Sequence, residues 1–251
     1  MQFQFGQTTI AVTHPDAVSL LAAVSARFAD GQGFALATIN LDHLGKLSND
    51  AAFRAAYVAQ DFVVADGNPI VWLSRLAGQP VQLVQGSDLV LPLVQAAARA
   101  GRPVSLLGST DASLAAAAAR LLQVVPALRI GALIAPPMGF DPEGGGAQTM
   151  LAQLQALGPG LCLVALGAPK QERLAALGRQ LAPAVGFASV GAGVDFIAGT
   201  QSRAPQWVRS FAMEWLWRAL FAPRRLLPRY AACAAILPSE VLKALQLRRQ
   251  G

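Results

Sequence analysis

The run FALATIN (34–40), followed by a stretch of helical length and then by FVVAD (62–66), decides the fold. Three more short apolar runs follow at intervals that leave room for Ala- and Leu-rich helices: VSLLG (104–108), LCLVALG (161–167) and VGFASVG (185–191). Continuous apolar runs of this length are typical of strands buried on both faces, and their alternation with helices is typical of a parallel sheet. The pattern predicts an open, Rossmann-like α/β core with a mostly parallel sheet and helices on both faces.

The N-terminal segment carries different signals. The runs FQF and TTIAVT, separated by Gly6 and Gln7, predict a short hairpin. Asp16 then precedes apolar residues at helical spacing, and Gly31 follows them, so we expect a helix between these two residues.

Polar residues and glycines end the predicted strands. In an open parallel sheet the ligand lies beyond the carboxyl ends of the strands, so these residues should line one crevice. They are Thr38, Asn40, Asp66, Gly67, Gly108, Gly167 and Gly191.

Asp66 is the leading candidate for chemistry at that crevice. An apolar strand that delivers a carboxylate into a dry crevice can raise the pKa of that carboxylate towards general-base use. An isolated Asp-Gly pair is more often a turn, but here Thr38, Asn40 and Gln171 supply neutral groups suited to fixing hydroxyls. Helix capping remains an adequate account of any one of these three residues.

Two glycine-containing motifs point towards phosphate. GAPKQE (167–172) places Lys170 and Gln171 in the first turn of a helix, where backbone amides attract anions, although an ordinary helix start explains the motif equally well. GAGVDF (191–196), with Gly191 and Gly193, resembles half of a dinucleotide fingerprint. Phe196 occupies the place of the third glycine, which disfavours an NAD-dependent oxidoreductase.

The basic charge of the chain is concentrated at its C-terminal end. Residues 1–200 hold 11 Lys and Arg against 12 Asp and Glu, whereas residues 201–251 hold 9 against 2. Trp207, Phe211 and Trp215 recur at helical spacing, which favours either a membrane interface or packing on the core. We expect a catalytic core over 1–199 and a basic, Trp-rich appendage over 200–251, which Pro223 and Pro228 divide into short helices.

Cysteine and histidine usage limits the alternatives. Cys162 and Cys233 lie in apolar surroundings with no metal-ligand spacing, and His14 and His43 have no carboxylate or cysteine at such spacing, so we expect no metal site. The free thiols fit a reducing compartment. The apolar run YAACAAIL stops at Pro238, short of the roughly 20 residues that a membrane span needs. The sequence predicts a cytoplasmic protein that lies on the membrane surface and does not bind nucleic acid.

The same residues carry a family resemblance. The chain resembles the WecG/TagA/CpsF glycosyltransferases, which transfer a sugar from a UDP-sugar to a polyprenyl-diphosphate-linked acceptor in bacterial surface-polysaccharide synthesis. The resemblance extends over most of the chain and rests on TIN (38–40), ADG (65–67), GSDL (86–89), GAPKQE (167–172), GAGVDFIAGTQSRAP (191–205), EWLWR (214–218) and PRR with RY (223–230).

This resemblance implies an inverting, metal-independent hexosyltransferase that uses no cofactor besides its UDP-sugar donor. Asp66 would be the general base, Thr38 and Gln171 would hold sugar or acceptor groups, and Asn40 would support them. The appendage would dock on the inner face of the cell membrane and complete the site. Its arginines would reach the UDP diphosphate as the cations that stabilise the leaving group: Arg218, Arg225 and Arg229.

Two departures from the family pattern bear on specificity. Leu83 stands where members usually carry an arginine shortly before the GSDL motif, and Asn68 and Pro69 replace small or aliphatic residues. These departures leave the donor sugar open between N-acetylmannosamine, glucose and another hexose. The sequence also leaves open whether the protein forms a homo-oligomer. A non-catalytic nucleotide- or lipid-binding module is the competing reading.

Overall fold

The computed structural model describes residues 1–201, 217 and 223–250. Its centre is a six-stranded sheet whose paired strands all run parallel, in the order β4-β3-β8-β7-β5-β6. The strands are β3 (Phe34–Ile39), β4 (Phe62–Ala65), β5 (Val104–Gly108), β6 (Ile130–Ile134), β7 (Gly160–Ala165) and β8 (Val185–Ser189). The predicted Rossmann-like α/β architecture is confirmed. The edge strand β6 was not predicted.

Helices connect the strands and flank the sheet. They are α1 (Ala17–Ala29), α2 (Leu41–Asn49), α3 (Ala51–Val58), α4 (Asn68–Leu76), α5 (Gly86–Arg99), α6 (Asp111–Val124), α7 (Gly145–Ala156), α8 (Lys170–Leu181), α9 (Gly193–Ala198) and α10 (Pro223–Gln250).

The N-terminal predictions are also confirmed. Strands β1 (Gln2–Phe5) and β2 (Thr8–Ala11) form an antiparallel hairpin. Asp16 caps α1, because its carboxylate accepts a hydrogen bond from the backbone N–H of Ser19 at 2.7 Å.

The strand order brings distant parts of the chain to one place. From β3 the chain moves to the edge strand β4, crosses to β5 and β6 at the opposite side, and returns through β7 to β8, which pairs with β3. The carboxyl ends of β4, β3, β8 and β7 are therefore neighbours, and the loops that follow them form one crevice.

The C-terminal segment differs from its prediction. Residues Pro223–Gln250 form one helix that continues through Pro228 and Pro238, so the expected division into short helices after Pro223 is wrong. Both prolines lie on the exposed face, where water can bond to the carbonyl groups that they leave without a helical partner. The opposite face packs into the apolar cluster beside α2 and α4, where Ala244 is buried. Leu226, near the start of the helix, is buried as well.

Candidate active site

A cleft of about 400 Å³ lies beyond the carboxyl ends of β3, β4, β7 and β8. Eight of the predicted site residues line it: Thr38, Asn40, Asp66, Gly167, Gln171, Gly191, Gly193 and Arg229. Residues that were not predicted as site residues also line it, among them His43, Lys46, Gln85 and Ser87.

Asp66 and Thr38 form the contact between β3 and β4 at the cleft. Asp66 directly follows β4, and its backbone N–H donates to the carbonyl of Ile39 at 2.8 Å, which extends the pairing of the two strands. The Thr38 hydroxyl donates to Oδ2 of Asp66 at 3.4 Å. Parallel pairing therefore places a carboxylate and a hydroxyl side by side at the mouth of the sheet.

Gln171 lines the same cleft from the first turn of α8. Its Oε1 accepts from the backbone N–H of Gly191 at 3.2 Å, and its Nε2 donates to Oε1 of Glu172 at 2.8 Å. Glu172 is fully buried. Burial raises the pKa of the Glu172 carboxyl to about 7, although the hydrogen bond from Gln171 opposes the rise.

The backbone of Thr38 is fixed from behind by two buried side chains. The Tyr57 hydroxyl donates to the Thr38 carbonyl at 2.7 Å, and Nδ1 of His43 lies 2.9 Å from the same oxygen and 2.7 Å from the Tyr57 hydroxyl. Burial lowers the pKa of His43 to about 4, so its imidazole is neutral near pH 7. These contacts give His43 a structural role, yet the ring also borders the cleft.

Two basic side chains reach the rim of the cleft and share one carboxylate. Nζ of Lys46 lies 2.8 Å from Oδ2 of Asp42, and Nε of Arg229 lies 2.9 Å from Oδ1 of the same residue. Burial of Asp42 opposes its ionisation, but the two cations outweigh that effect and hold the pKa of Asp42 below its usual value. Asp42 thus ties α10 to α2 and keeps both cations at the cleft.

The sequence predicts the ion pair of Lys46 but not its place at the cleft. Asp42 and Lys46 stand four residues apart, as in a helical ion pair, but an ion pair of that kind is usual on any solvated helix face. Nothing in the spacing shows that this face of α2 borders the site.

Three predicted binding residues do not line the cleft. Gly67 has a φ of 97° and caps α4, so its glycine identity follows from a backbone conformation that other residues rarely adopt. A Cβ on Gly108 would lie 2.3 Å from the carbonyl oxygen of Ala165, so close packing of β5 on β7 accounts for this residue. Lys170 donates its ammonium to the carbonyl of Phe140 at 2.7 Å, away from the cleft.

The remaining predicted residues have mixed outcomes. Asn40 lines the cleft, but its side chain also caps α2 by accepting from the N–H of His43 at 3.1 Å. Helix capping, the other explanation predicted for this residue, therefore applies to it. Arg218, together with the stripe Trp207, Phe211 and Trp215, lies outside the described residues, as does the side chain of Arg225.

A family model matches this chain over residues 5–250, and its description is the Glycosyl transferase WecG/TagA/CpsF family. The match includes both the α/β core and α10. The chain belongs to the WecG/TagA/CpsF glycosyltransferase family. Family membership implies a glycosyltransferase of cell-surface polysaccharide synthesis that uses a sugar-nucleotide donor and a lipid-linked acceptor. The resemblance carried by the spaced motifs is therefore confirmed.

The described residues offer neither a metal-binding cluster nor a membrane-spanning helix. Within residues 1–201, 217 and 223–250, no three His, Cys, Asp or Glu side chains come together in a way that could hold a metal ion. In the same part of the chain, no helix combines the length and the apolar character needed to span a bilayer.

Proposed function

We propose that the protein is an inverting transferase that moves a hexose or N-acetylhexosamine from a UDP-sugar to a polyprenyl-diphosphate-linked saccharide. The product would enter exopolysaccharide, capsule or cell-wall polymer synthesis. The reaction takes place in the cleft, needs no metal ion, and occurs on a protein that associates peripherally with the inner face of the cell membrane.

One observation carries this proposal: a carboxylate lines the cleft at the mouth of the sheet together with neutral hydrogen-bonding groups from three other strand ends. Asp66 follows β4, Thr38 lies in β3, Gln171 follows β7, and Gly191 follows β8. A carboxylate flanked by an amide and a hydroxyl fits general-base catalysis on a sugar hydroxyl, because the neutral groups can orient the hydroxyl without competing for its proton.

The proposed reaction is a single displacement. Asp66 takes the proton of the acceptor hydroxyl while that oxygen forms a bond to the anomeric carbon. The bond between this carbon and the β-phosphate oxygen breaks on the opposite face, and UDP leaves with the electron pair. The configuration at the anomeric carbon inverts, and the proton ends on Asp66.

Cations of the protein stabilise the leaving diphosphate in this scheme. Arg229 reaches the cleft, and we propose that Arg218 and Arg225 join it. Guanidinium groups bind phosphate oxygens in a forked, charge-assisted geometry, so they can take the place of a metal ion at a developing diphosphate. Turnover that survives a strong chelator would support this part of the scheme, and turnover lost to the chelator and restored by Mg²⁺ would overturn it.

The substitution Asp66→Asn tests the base. It keeps the size of the side chain but removes the proton acceptor, so kcat should fall by roughly 10²- to 10⁴-fold with the fold intact. Turnover is measured as sugar transfer to a synthetic polyprenyl-diphosphate acceptor, with the product identified by mass. Asp30→Asn is the matched control, because Asp30 is exposed at the end of α1. Equal activity of the two variants would remove Asp66 from this role.

A second measurement separates the enzyme from a non-catalytic binding module. Release of UDP that depends on the lipid acceptor supports the transferase. Binding of UDP with no release of sugar to any acceptor, over a panel of UDP-sugars, would instead identify a nucleotide-binding module.

A further inference from the structure

Glu172 is the most unusual ionisable residue that the proposed reaction does not use. Its side chain is fully buried under α3 and α8, one residue after Gln171. No ion pair to its carboxylate occurs among the described residues. A buried carboxylate without a counter-ion loses its hydration energy, which the hydrogen bond from Gln171 recovers only in part, so burial favours the protonated form.

The hydrogen bonds around Glu172 agree with a neutral acid. Oε1 accepts from Gln171, whereas Oε2 has no hydrogen-bond partner among the described residues. Gln60 lies against the same residue, because its Nε2 donates to the Glu172 carbonyl at 3.2 Å, and its own Oε1 is likewise buried without a partner in the described part of the chain. An ionised carboxylate would bury its charge with Oε2 unsatisfied, whereas protonation removes that charge, so the neutral acid fits these surroundings better.

Gln171 gains a defined orientation from this neighbour. Its amide oxygen is held by the backbone N–H of Gly191, and its amide nitrogen is held by Glu172. Because one partner is a donor and the other an acceptor, the amide cannot rotate by half a turn without losing both bonds. The nitrogen keeps one further N–H for the cleft that Gln171 lines.

The charged groups near Glu172 come from a small number of elements. On α2, Asp42 raises and Lys46 lowers the pKa of Glu172. On α3, the pKa of Tyr57 is raised well above its usual value, first by burial and then by Glu172 and other acids, so the phenol is neutral. The remaining elements packed on α8 are β3, β8, α7 and β7, and they offer only the thiol of Cys162. An ionised Glu172 would therefore add negative charge behind a cleft that already holds Asp66.

We propose that Glu172 is kept as the neutral acid and acts as a positioning residue that fixes the Gln171 amide for the reaction. The inference rests on the proposed transferase for its kinetic consequence only. In its neutral form Glu172 presents a carbonyl oxygen to Gln171 and adds no charge near the departing diphosphate. Loss of its proton as the pH rises through about 7 lowers the rate.

Two substitutions separate positioning from mere packing. Glu172→Gln keeps an acceptor oxygen for Gln171 but has no proton to lose, so it should retain kcat near pH 7 and remove the alkaline decline of the wild-type pH profile. Glu172→Leu has a similar volume and no acceptor, so kcat should fall by about tenfold to a hundredfold with little change in KM for the donor. Equal kinetics for the two variants, or an alkaline decline that persists in Glu172→Gln, would overturn the proposal.

Spectroscopy tests the inference without turnover. The difference infrared spectrum between the wild type and Glu172→Gln should contain the C=O band of a protonated carboxylic acid at about pH 6, and this band should disappear at about pH 8.5. The side-chain amide resonances of Gln171 should be preserved in Glu172→Gln and displaced in Glu172→Leu. A carboxylate band already present at about pH 6 would show that Glu172 is ionised and would contradict the proposal. Absence of transferase activity in the wild type would refute the proposed function alone.

Discussion

Burial of Glu172 has a cost that depends on pH. A free glutamate titrates near 4.5, whereas the folded chain holds this proton to about pH 7. Between these values the folded state binds more protons than the unfolded state, so the free energy of unfolding falls as the pH rises, by about 3 kcal/mol in all. Glu172→Gln should abolish this loss, and urea unfolding at about pH 5 and about pH 8 measures it.

The control for this prediction is Glu143→Gln. Glu143 is half-exposed and pairs with Arg173 at the surface, so its replacement should leave the pH dependence nearly unchanged. His43 acts with the opposite sign, because its lowered pKa costs stability as the pH falls from about 6.5 to about 4. His43 is present in the wild type and in Glu172→Gln, so the difference between their pH dependences isolates the effect of Glu172. If the free energy of unfolding changed with pH in the same way in the wild type and in Glu172→Gln, the prediction would be contradicted.

The sequence predicted candidate site residues at the ends of strands but not those inside a helix. Thr38, Asp66 and Gly191 lie at or just after the ends of apolar strands. Because ligands of open parallel sheets bind beyond the carboxyl ends of the strands, the sequence alone predicted that these residues meet in one cleft. Lys46 lies within α2, beyond its first turn, where the sequence does not show which face meets the sheet mouth. Gly67 and Gly108 end strands too, but the geometry of the backbone explains them without a ligand.

The pairing of α2 with α10 gives a prediction at the level of elements. Arg229 is 41% exposed in its ion pair with Asp42, so Arg229→Met should change the free energy of unfolding by less than about 1 kcal/mol. If the same guanidinium binds a diphosphate, UDP affinity should fall by about tenfold, the effect of one charge-assisted contact. Titration calorimetry at low salt measures the affinity, and urea unfolding measures the stability.

The matched control for this prediction lies on the same helix. Arg249 is exposed near the end of α10, and Arg249→Met should leave UDP affinity unchanged. Equal loss of affinity in both variants would assign the effect to net charge rather than to a contact at the cleft.

Element prediction failed where packing overrode a local signal. Pro228 and Pro238 each cost a helix about 3 kcal/mol or more in its interior, and the packing that offsets this cost cannot be read from local sequence. In the folded chain, α10 turns a stripe of buried or half-buried residues towards the hairpin, α2 and α4. The stripe includes Cys233, Ile236, Leu237 and Ala244. The edge strand β6 was missed because Gly131 interrupts its apolar run and one side is partly exposed.

At the scale of the whole molecule, α10 shares an apolar cluster with the core. Phe3 and Ile10 of the hairpin belong to the same apolar cluster as Ala244 and the partly buried Ile236. Removal of residues 200–251 should therefore expose this cluster and destabilise residues 1–199, since each large apolar side chain contributes about 1.5–3 kcal/mol when buried. Thermal unfolding of the truncated and full chains measures the difference.

Two outcomes of that truncation are distinct. A melting temperature lowered by several degrees or more, with faster proteolysis of the hairpin, would support a shared core. An unchanged melting temperature would support the division at residue 199 that the charge distribution predicts. Removal of Gly251 alone is the control for a change at the C-terminus.

The pairing of β3 with β8 also governs when the cleft can exist during synthesis. As the chain leaves the ribosome, β3 can meet β4 early, but the groups contributed by Gln171 and Gly191 arrive only after most of the α/β core has been translated. Contacts between such distant segments form slowly, because a long loop must close first. The nascent chain therefore cannot complete the cleft until β8 and Gly191 have been translated.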